Sequence, residues 1–273
     1  MAQVTKAVIL ARGLGTRMRQ ANGASELDEQ TAKIAATGVK ALIPTLGRPF
    51  LDFVLSNLAD AGFTQVCLVI GPEHDAIRTY YGQTLQPKRI EIHFAVQEHP
   101  RGTGDAVRPA EAFAGGEPFL MINSDNFYPP EALLALRDST APAIAVFEKN
   151  AMLKGSNIAA DRISKFSVVK SNEDGTMKQI IEKPDDATLA ALGDDVFVSM
   201  NCWLFGPGIF KAAAAIKQSP RGEYEITDAA QYCIDTLGEK LIVRKIAAPV
   251  LDLSSRDDIA AVTDRLRQID VRL

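Results

Sequence analysis

The sequence has few cysteines, and their placement excludes the structures that cysteine clusters build. Only three occur, Cys67, Cys202 and Cys233, and they lie far apart along the chain. An odd number at this spacing fits neither a disulfide framework nor a zinc knuckle. We therefore interpret them as structural thiols in a protein from a reducing compartment.

Long apolar runs and an excess of one charge are absent as well. No stretch of about 18 apolar residues is present to cross a bilayer, and residues 1–13 lack the cleavage site of a signal peptide. The 30 basic and 34 acidic residues give a net charge of −4. This balance gives no electrostatic reason to expect nucleic acid or an anionic membrane as a partner. Together these absences predict a cytoplasmic protein.

What is present is the composition of an ordinary globular protein, with 273 residues of which 47% are hydrophobic and 23% charged. Short β-branched runs alternate with segments of helical periodicity, which predicts a parallel sheet with helices on both faces. The second half is more mixed, and we expect one compact unit over residues 1–273. Strands are predicted at 8–10, 66–70, 90–96, 119–122, 143–147, 164–170, 177–181, 196–205 and 241–246. Helices are predicted at 50–61, 73–81, 103–113, 131–137, 207–217, 225–237 and 255–269, while 21–37 forms either a helix or a flap.

A glycine-rich loop follows the first predicted strand, with the sequence LARGLGTRMR at residues 10–19. Gly13 and Gly15, followed by Thr16, let backbone amides approach phosphate oxygens closely. Arg17 adds a forked cation suited to phosphate. The loop lacks the Gly-Lys-Ser/Thr of a P-loop and the third small residue of a dinucleotide fingerprint. A tight turn without a ligand remains the alternative.

A second string, GVKALIPTLGRPF at residues 38–50, places Lys40 just before an apolar patch. Lys40 either reaches the phosphates held by the first loop or is a solvated surface lysine. The two strings together resemble the sugar-1-phosphate nucleotidyltransferase family, the NDP-sugar pyrophosphorylases. The family signature is Leu-Ala-Ala-Gly-x-Gly-Thr-Arg-Leu/Met, followed by Pro-Lys-x-Leu-x-Pro-x-x-Gly-x-Pro.

The resemblance implies a fold and a division of the chain. The fold is α/β, a Rossmann-like three-layer α/β/α arrangement with a mostly parallel central sheet and an added antiparallel sugar-binding portion. Residues 1–150 would form the nucleotide-binding half, and residues 151–273 the sugar-binding half with a closing helix. No hexapeptide-repeat extension follows, so we expect the single-domain form of the family.

The segment QEHPRGTGDAV at residues 97–107 resembles the family's Gln-x-x-x-x-Gly-Thr-x-x-Ala. Gln97 and Gly102 would read the edge of the nucleotide base, because an amide offers both a donor and an acceptor. Thr103 either belongs to that site or caps the helix that follows it. The segment favours UTP or dTTP over GTP.

Two aspartates stand where the family holds its metal. NSDNFY at 123–128 resembles the strand-end Gly-Asp-Asn/Asp motif, and PVLDLSSRDDI at 249–259 resembles the strand end with the second metal aspartate. The resemblance implies that Asp125 and Asp252 bind Mg²⁺, which needs few carboxylates when substrate phosphates complete its shell. A simple turn at the first site and a helix start at the second are the alternatives.

Two later stretches resemble the sugar-binding motifs of the family. IIEKP at 180–184 is similar to Glu-Lys-Pro, and VSMNCWLF at 198–205 is similar to the Asn-x-Gly-x-Tyr-x-Phe strand. Glu182 and Asn201 would contact the sugar, and Lys183 would meet the sugar phosphate. Trp203 and Phe205 alternate on one strand face and are expected in the core.

The resemblance implies transfer of a nucleotidyl group from an NTP to a sugar 1-phosphate, with Mg²⁺ as cofactor, and is compatible with a homo-oligomer. The implied catalytic residues are Arg17, Lys40, Asp125 and Lys183, and the implied metal ligands are Asp125 and Asp252. The implied nucleotide-binding residues are Leu10, Ala11, Gly13, Gly15, Thr16, Arg17, Gln97, Gly102 and Thr103. The implied sugar-phosphate-binding residues are Asn126, Glu182, Lys183 and Asn201.

Some residues depart from the family pattern. Arg12 replaces an alanine, while Ser124, Cys202 and Ser254 stand where glycine is usual. None of these changes removes a charged group, so they bear on sugar specificity. Two other functions stay open: a catalytically silent sensor of NDP-sugar, and nucleotidyl transfer to a non-sugar phosphate or phosphonate.

Overall fold

The computed structural model describes residues 3–20, 27–185, 187, 189 and 196–273, which contain thirteen strands and twelve α-helices. The strands are β1 (Lys6–Leu10), β2 (Pro44–Thr45), β3 (Arg48–Pro49), β4 (Gln65–Ile70), β5 (Glu91–Val96), β6 (Phe119–Asn123), β7 (Asn126–Phe127), β8 (Ala143–Glu148), β9 (Val168–Ser171), β10 (Met177–Ile181), β11 (Phe197–Phe205), β12 (Ile242–Ile246) and β13 (Leu251–Asp252). The helices are α1 (Thr16–Arg19), α2 (Glu29–Thr37), α3 (Phe50–Asp60), α4 (Asp75–Thr79), α5 (Thr103–Val107), α6 (Glu111–Ala114), α7 (Pro130–Arg137), α8 (Lys149–Gly155), α9 (Ala160–Ile163), α10 (Gly208–Ala215), α11 (Ile226–Asp235) and α12 (Asp258–Leu266).

Nine of the strands form one mixed sheet. Strands β5, β4, β1 and β6 run parallel in that order, so β1 and β6 end side by side. Beyond β6 lies the antiparallel β11, followed by β8 and then β12, which is parallel to β8. The β9–β10 hairpin joins β11 where Val168 faces Val198. The predicted sheet, parallel in its first half with an antiparallel addition, is confirmed.

Both faces of this sheet are buried. Alternate residues of β1 point to opposite sides, so that Ile9 packs in one apolar cluster and Val8 in another. The first cluster includes most of α3, and the second includes apolar residues of α10 and α11. Trp203 and Phe205 are buried in the second cluster, as expected. A sheet covered by helices on both faces is the predicted three-layer arrangement.

Some predicted elements differ from the structure. The single helix predicted at 103–113 is interrupted by a 3₁₀ turn, Arg108–Ala110, because Pro109 has no amide hydrogen to continue α-helical bonding. Helices α8 and α9 were not predicted. Of the undecided segment, α2 is helical and is preceded by its N-cap Asp28, whose Oδ1 accepts from Thr31 N at 2.9 Å. Residues 21–26 lie outside the described residues.

Strand β11 carries an irregularity that shapes the site. Its register with β8 shifts between Ser199 and Cys202, and Asn201 adopts a left-handed φ of 55°. Asparagine tolerates this conformation better than most residues. The bulge brings Met200 and Asn201 to the wall of a cavity.

The cysteines and the helices agree with the sequence expectations. All three cysteines are buried and unbonded to one another, and burial raises the pKa of Cys67 and of Cys233 to about 12. Such thiols are inert at neutral pH. Within the described ranges, no helix combines the length and apolar character needed to span a bilayer.

Candidate active site

A cavity of about 580 Å³ opens beside the carboxyl ends of β1 and β6 and against the bulge of β11. Ligands of open α/β sheets bind at this edge. Its lining includes many of the residues that the sequence singled out, namely Arg17, Thr103, Asp125, Asn126, Glu182, Lys183, Asn201 and Asp252.

Asp125 lies in the short loop between β6 and β7 and is paired with a lysine from a distant part of the chain. Lys40 Nζ is 2.7 Å from Asp125 Oδ2, and both side chains are about four-fifths buried. Burial lowers the pKa of Lys40, but the charge and hydrogen bond of Asp125 outweigh that effect and hold it above its ordinary value. Lys40 is therefore a fixed cation beside Asp125 and not a solvated surface lysine.

Asp252 reaches the same cavity through a two-stranded ladder. In the pairing of β13 with β7, Asp252 lies opposite Asn126, directly after Asp125. Asn126 Nδ2 donates to Asp252 Oδ1 at 3.0 Å, and Arg162 forms an ion pair with Asp252 Oδ2. Burial raises the pKa of Asp252, and the nearby charge of Asp125 raises it further. The carboxylates of Asp125 and Asp252 are therefore close enough to repel each other.

A second buried aspartate supports this arrangement. Asp258 Oδ2 accepts from the backbone amides of Ser254 and Ser255 at 3.1 and 2.7 Å, while Arg162 Nη1 lies 3.5 Å from Asp258 Oδ1. Asn157 fixes Asp252 by donating to its carbonyl at 2.7 Å and accepting from its amide at 2.9 Å. The last helix begins with acidic residues, as predicted. One of them, Asp258, also contacts Arg162 beside the cavity.

Arg162 and Asn157 were missed by the sequence reasoning. They lie on and before α9, in a stretch without apolar periodicity or a recognised motif. Lys165, which also lines the cavity, was missed for the same reason. The sequence carries no local signal for Asn157 or Arg162, because the partner of each lies 90 or more residues away.

The glycine-rich loop closes against the second string. Gly15 has a φ of 59°, and a Cβ there would lie 2.1 Å from the carbonyl oxygen of Gly38, so only glycine allows this contact. Leu10 and Ala11 connect the loop to the sheet, since Leu10 O accepts from Ser124 N and Ala11 N donates to Val69 O. Gly13, Gly15 and Thr16 lie near the cavity edge without lining it, whereas Arg17 lines it.

Arg12, the unusual residue of this loop, lies outside the cavity lining. Its side chain is buried and its Nη2 contacts both carboxylate oxygens of Glu73 at 3.2 Å. The substitution at this position therefore adds an ion pair with Glu73 and no side chain to the cavity wall.

Gln97 follows β5 and is tied to the turn that contains Gly102. Its Nε2 donates to Gly102 O at 3.2 Å and to Asp105 Oδ2 at 2.9 Å. Gly102 has a φ of 105°, and a Cβ there would lie 2.5 Å from the carbonyl oxygen of Tyr224. Neither Gln97 nor Gly102 lines the cavity, whereas the next residue, Thr103, does.

The interpretation of Thr103 as a cap of its own helix is wrong. That helix begins after Gly102 without a side-chain cap. The hydroxyl oxygen of Thr103 instead accepts from the amide of Ile226, the first residue of α11, at 3.0 Å. The contact joins the two halves of the chain at the cavity wall, and no local sequence pattern indicates it.

The residues of the sugar motifs line the same cavity as the two aspartates. Glu182 and Lys183 are exposed after β10, and Lys183 has a left-handed φ of 44°. They also border a neighbouring cavity of about 770 Å³. Asn201 Oδ1 accepts from Trp203 Nε1 at 3.4 Å, and Tyr128 OH donates to Met200 O at 2.6 Å.

The donor set of this cavity fits a magnesium ion. Asp125 and Asp252 offer carboxylate oxygens close together, and Lys40 and Arg162 already place positive charge against them. In the part of the chain that the structure describes, no three histidine, cysteine or acidic side chains form a complete metal cage. Mg²⁺ is the ion that one or two carboxylates suffice to hold when phosphates and water supply the other ligands.

Comparison with known proteins gives the family. The model of the nucleotidyl transferase family matches residues 6–248. The chain belongs to the nucleotidyl transferase family. The resemblance found in its motifs is thereby confirmed.

Several curated proteins are similar to this family member. The low-salt glycan biosynthesis nucleotidyltransferase Agl11 of Haloferax volcanii is 28% identical, and a glucose-1-phosphate thymidylyltransferase of Streptomyces griseus is 29% identical; each match covers 84% of this chain. The chain spans 57% of the length of both. A UTP–glucose-1-phosphate uridylyltransferase of H. volcanii, AglF, is 24% identical over 96% of this chain and 97% of its own.

The fold also has solved counterparts. A crystal structure of UDP-glucose pyrophosphorylase with UDP-glucose superposes with a TM-score of 0.74 at 18% identity, covering 98% of this chain and all of that one. At this identity the likeness shows the shared fold.

Proposed function

We propose that the protein transfers a nucleotidyl group from an NTP to a sugar 1-phosphate, giving an NDP-sugar and pyrophosphate. The observation that carries this proposal is the β7–β13 ladder, which brings Asp125 and Asp252 to one cavity, with Lys40 paired to Asp125 behind its wall. The names of the relatives support it, since they include thymidylyl- and uridylyltransferases that act on glucose 1-phosphate. UTP or dTTP is the favoured nucleotide.

The reaction needs no protein nucleophile. An oxygen of the sugar phosphate attacks the α-phosphorus in line, the bond from the α-phosphorus to the bridging oxygen breaks, and pyrophosphate leaves with that oxygen. Catalysis then depends on positioning the two substrates and neutralising the charge between them. A cavity lined by several basic side chains and two aspartates is suited to this task.

Asp125 and Asp252 would hold Mg²⁺, which would neutralise phosphate charge as a Lewis acid when bound. Arg17 lines the cavity, and Lys40 pairs with Asp125, which also lines it. We assign Arg17 and Lys40 to the departing pyrophosphate. Lys183, which lines the same cavity, is assigned to the phosphate of the sugar.

The binding roles are divided between the two halves of the chain. Leu10 and Ala11 are assigned to the nucleotide, and the backbone of Gly13, Gly15 and Thr16 is assigned to its phosphates. Gln97 is assigned to the base together with Gly102 and Thr103. Asn126, Glu182 and Asn201 are assigned to the sugar. The support for these roles is their position at the carboxyl edge of the sheet or on the wall of the cavity.

The proposal is tested by measuring pyrophosphate release with Mg²⁺ across five NTPs and a panel of sugar 1-phosphates. Strong release with one pair, dependent on both substrates, is the expected result and names the base and the sugar. Silence across the panel would contradict the proposal. Binding of an NDP-sugar without turnover would then favour a sensor, and turnover with a non-sugar phosphate would favour the other acceptor class.

A further inference from the structure

Arg162 stands between two buried carboxylates at the rear of the cavity. Its Nη2 pairs with Asp252 Oδ2, and its Nη1 lies 3.5 Å from Asp258 Oδ1. Both aspartates are more than nine-tenths buried, whereas about a quarter of the arginine side chain is exposed to the cavity. The guanidinium therefore bridges two fixed anions and remains open to a ligand on its other side.

Both oxygens of Asp252 are occupied in this arrangement. Oδ1 accepts from Asn126 Nδ2 at 3.0 Å, and Oδ2 is held by Arg162. A buried carboxylate needs such partners, because an unpaired charge in this environment is costly. A metal ion that binds Oδ2 competes with the guanidinium for this oxygen, because two positive charges held against one oxygen repel each other.

Arg162 can stay paired with Asp258 when it moves away from Asp252. Asp258 is fixed by Ser255, whose amide and hydroxyl donate to Asp258 Oδ2 at 2.7 and 2.8 Å. The Asp258 oxygen nearer Arg162, Oδ1, also accepts from Asn157 at 3.1 Å. This aspartate does not line the cavity. The arginine can thus release one carboxylate while its charge stays balanced by the other and by phosphate in the cavity.

We propose that Arg162 is a placeholder cation that competes with the metal for Asp252 and moves to substrate phosphate when the metal binds. The inference rests on the proposed function, specifically on Asp252 as a metal ligand. Its consequence is that the ligand-free protein binds divalent metal weakly, and that nucleotide binding strengthens metal binding by giving Arg162 a new partner. By linkage the metal strengthens nucleotide binding by the same factor.

The test is titration with Mn²⁺, followed by the electron paramagnetic resonance signal of free Mn²⁺, with and without UTP or dTTP. In Arg162→Gln, Asp252 Oδ2 loses its competitor, so Mn²⁺ affinity without nucleotide should rise roughly tenfold, and the enhancement by nucleotide should shrink by a similar factor. Lys165→Met is the matched control, because Lys165 lines the same cavity but pairs with Asp161. It should change Mn²⁺ affinity less than about twofold.

Unchanged or weaker Mn²⁺ binding in folded Arg162→Gln would overturn the inference, as would an equal gain in Lys165→Met. If Arg162→Gln does not fold, Arg162→Lys serves instead, because it keeps the positive charge but lacks the guanidinium group that contacts both aspartates. Arg162→Lys should strengthen Mn²⁺ binding by a smaller factor. No strengthening would refute the inference. Asp252→Asn separates the two proposals. Undiminished binding of Mn²⁺ with nucleotide in this variant would refute the metal assignment itself, whereas loss of binding there without a gain in Arg162→Gln would refute only the role of Arg162.

Discussion

Replacing Lys40 by methionine removes the cation that faces Asp125 while keeping a side chain of similar length. The ion pair spans 2.7 Å, with 17% and 22% of the two side chains exposed. The gross attraction of two unit charges at this distance is about 6 kcal/mol at an effective dielectric constant of about 20. Much of it is offset by desolvation, and Asp125 can regain water when Lys40 is gone. We therefore expect the free energy of unfolding to fall by about 1–2 kcal/mol.

The effect of the same change on catalysis should be larger. If Lys40 neutralises the departing pyrophosphate, its loss removes one preorganised electrostatic contact, which costs about 10²–10³-fold in kcat. Pyrophosphate release at saturating substrates measures this loss, and urea unfolding measures the change in stability. Lys165→Met provides the comparison, because it removes a cation that lines the cavity and pairs with the exposed Asp161. A Lys40→Met enzyme that keeps kcat within threefold of the wild type would refute the assigned role.

Four further changes test separate parts of the account. Asp125→Asn should lower kcat about a thousandfold or more in the pyrophosphate assay, since it removes a charge that we assign to metal binding; near-normal turnover would show that this assignment is wrong. Gln97→Ala should reduce the preference in kcat/KM for UTP or dTTP over GTP about tenfold, with a smaller effect on kcat; an unchanged preference would exclude base reading by this amide. Gly102→Ala should destabilise the protein in urea by about 3 kcal/mol, because a Cβ would lie 2.5 Å from Tyr224 O at a φ of 105°; a stability equal to that of the wild type would contradict this packing. Burial lowers the pKa of His74 below its ordinary value of 6.5, so His74 takes up a proton more readily in the unfolded chain than in the folded protein. When the pH is lowered from 7 to 5.5, the thermal midpoint should therefore drop further in the wild type than in His74→Asn. An equal drop in both proteins would contradict the lowered pKa.

The parallel half of the fold is readable from the sequence, because short apolar runs such as Val66–Ile70 are buried on both faces of the sheet and end at glycine or proline. The same holds for Asp125, which directly follows a strand whose end must lie at the ligand-binding edge. The sequence pattern was enough to predict these strands and the position of Asp125, because each depends on residues that are close together along the chain.

The contacts that complete the site were not predictable in this way. Arg162 lies in a polar stretch whose helix is stabilised by pairing with Asp252, far along the chain. Thr103 looks like a cap for its own helix but bonds to Ile226. The left-handed bulge at Asn201 depends on pairing of β11 with strands on both sides. Each of these features is set by tertiary contacts, which override the local preference of the sequence.

Product analysis of the wild-type protein with Mg²⁺ and the NTP and sugar 1-phosphate selected by the panel measures nucleotidyl transfer itself. We expect one NDP-sugar for each pyrophosphate, and no pyrophosphate when the sugar 1-phosphate is omitted. Pyrophosphate released without the sugar phosphate, or no NDP-sugar formed with any pair, would contradict nucleotidyl transfer to a sugar 1-phosphate.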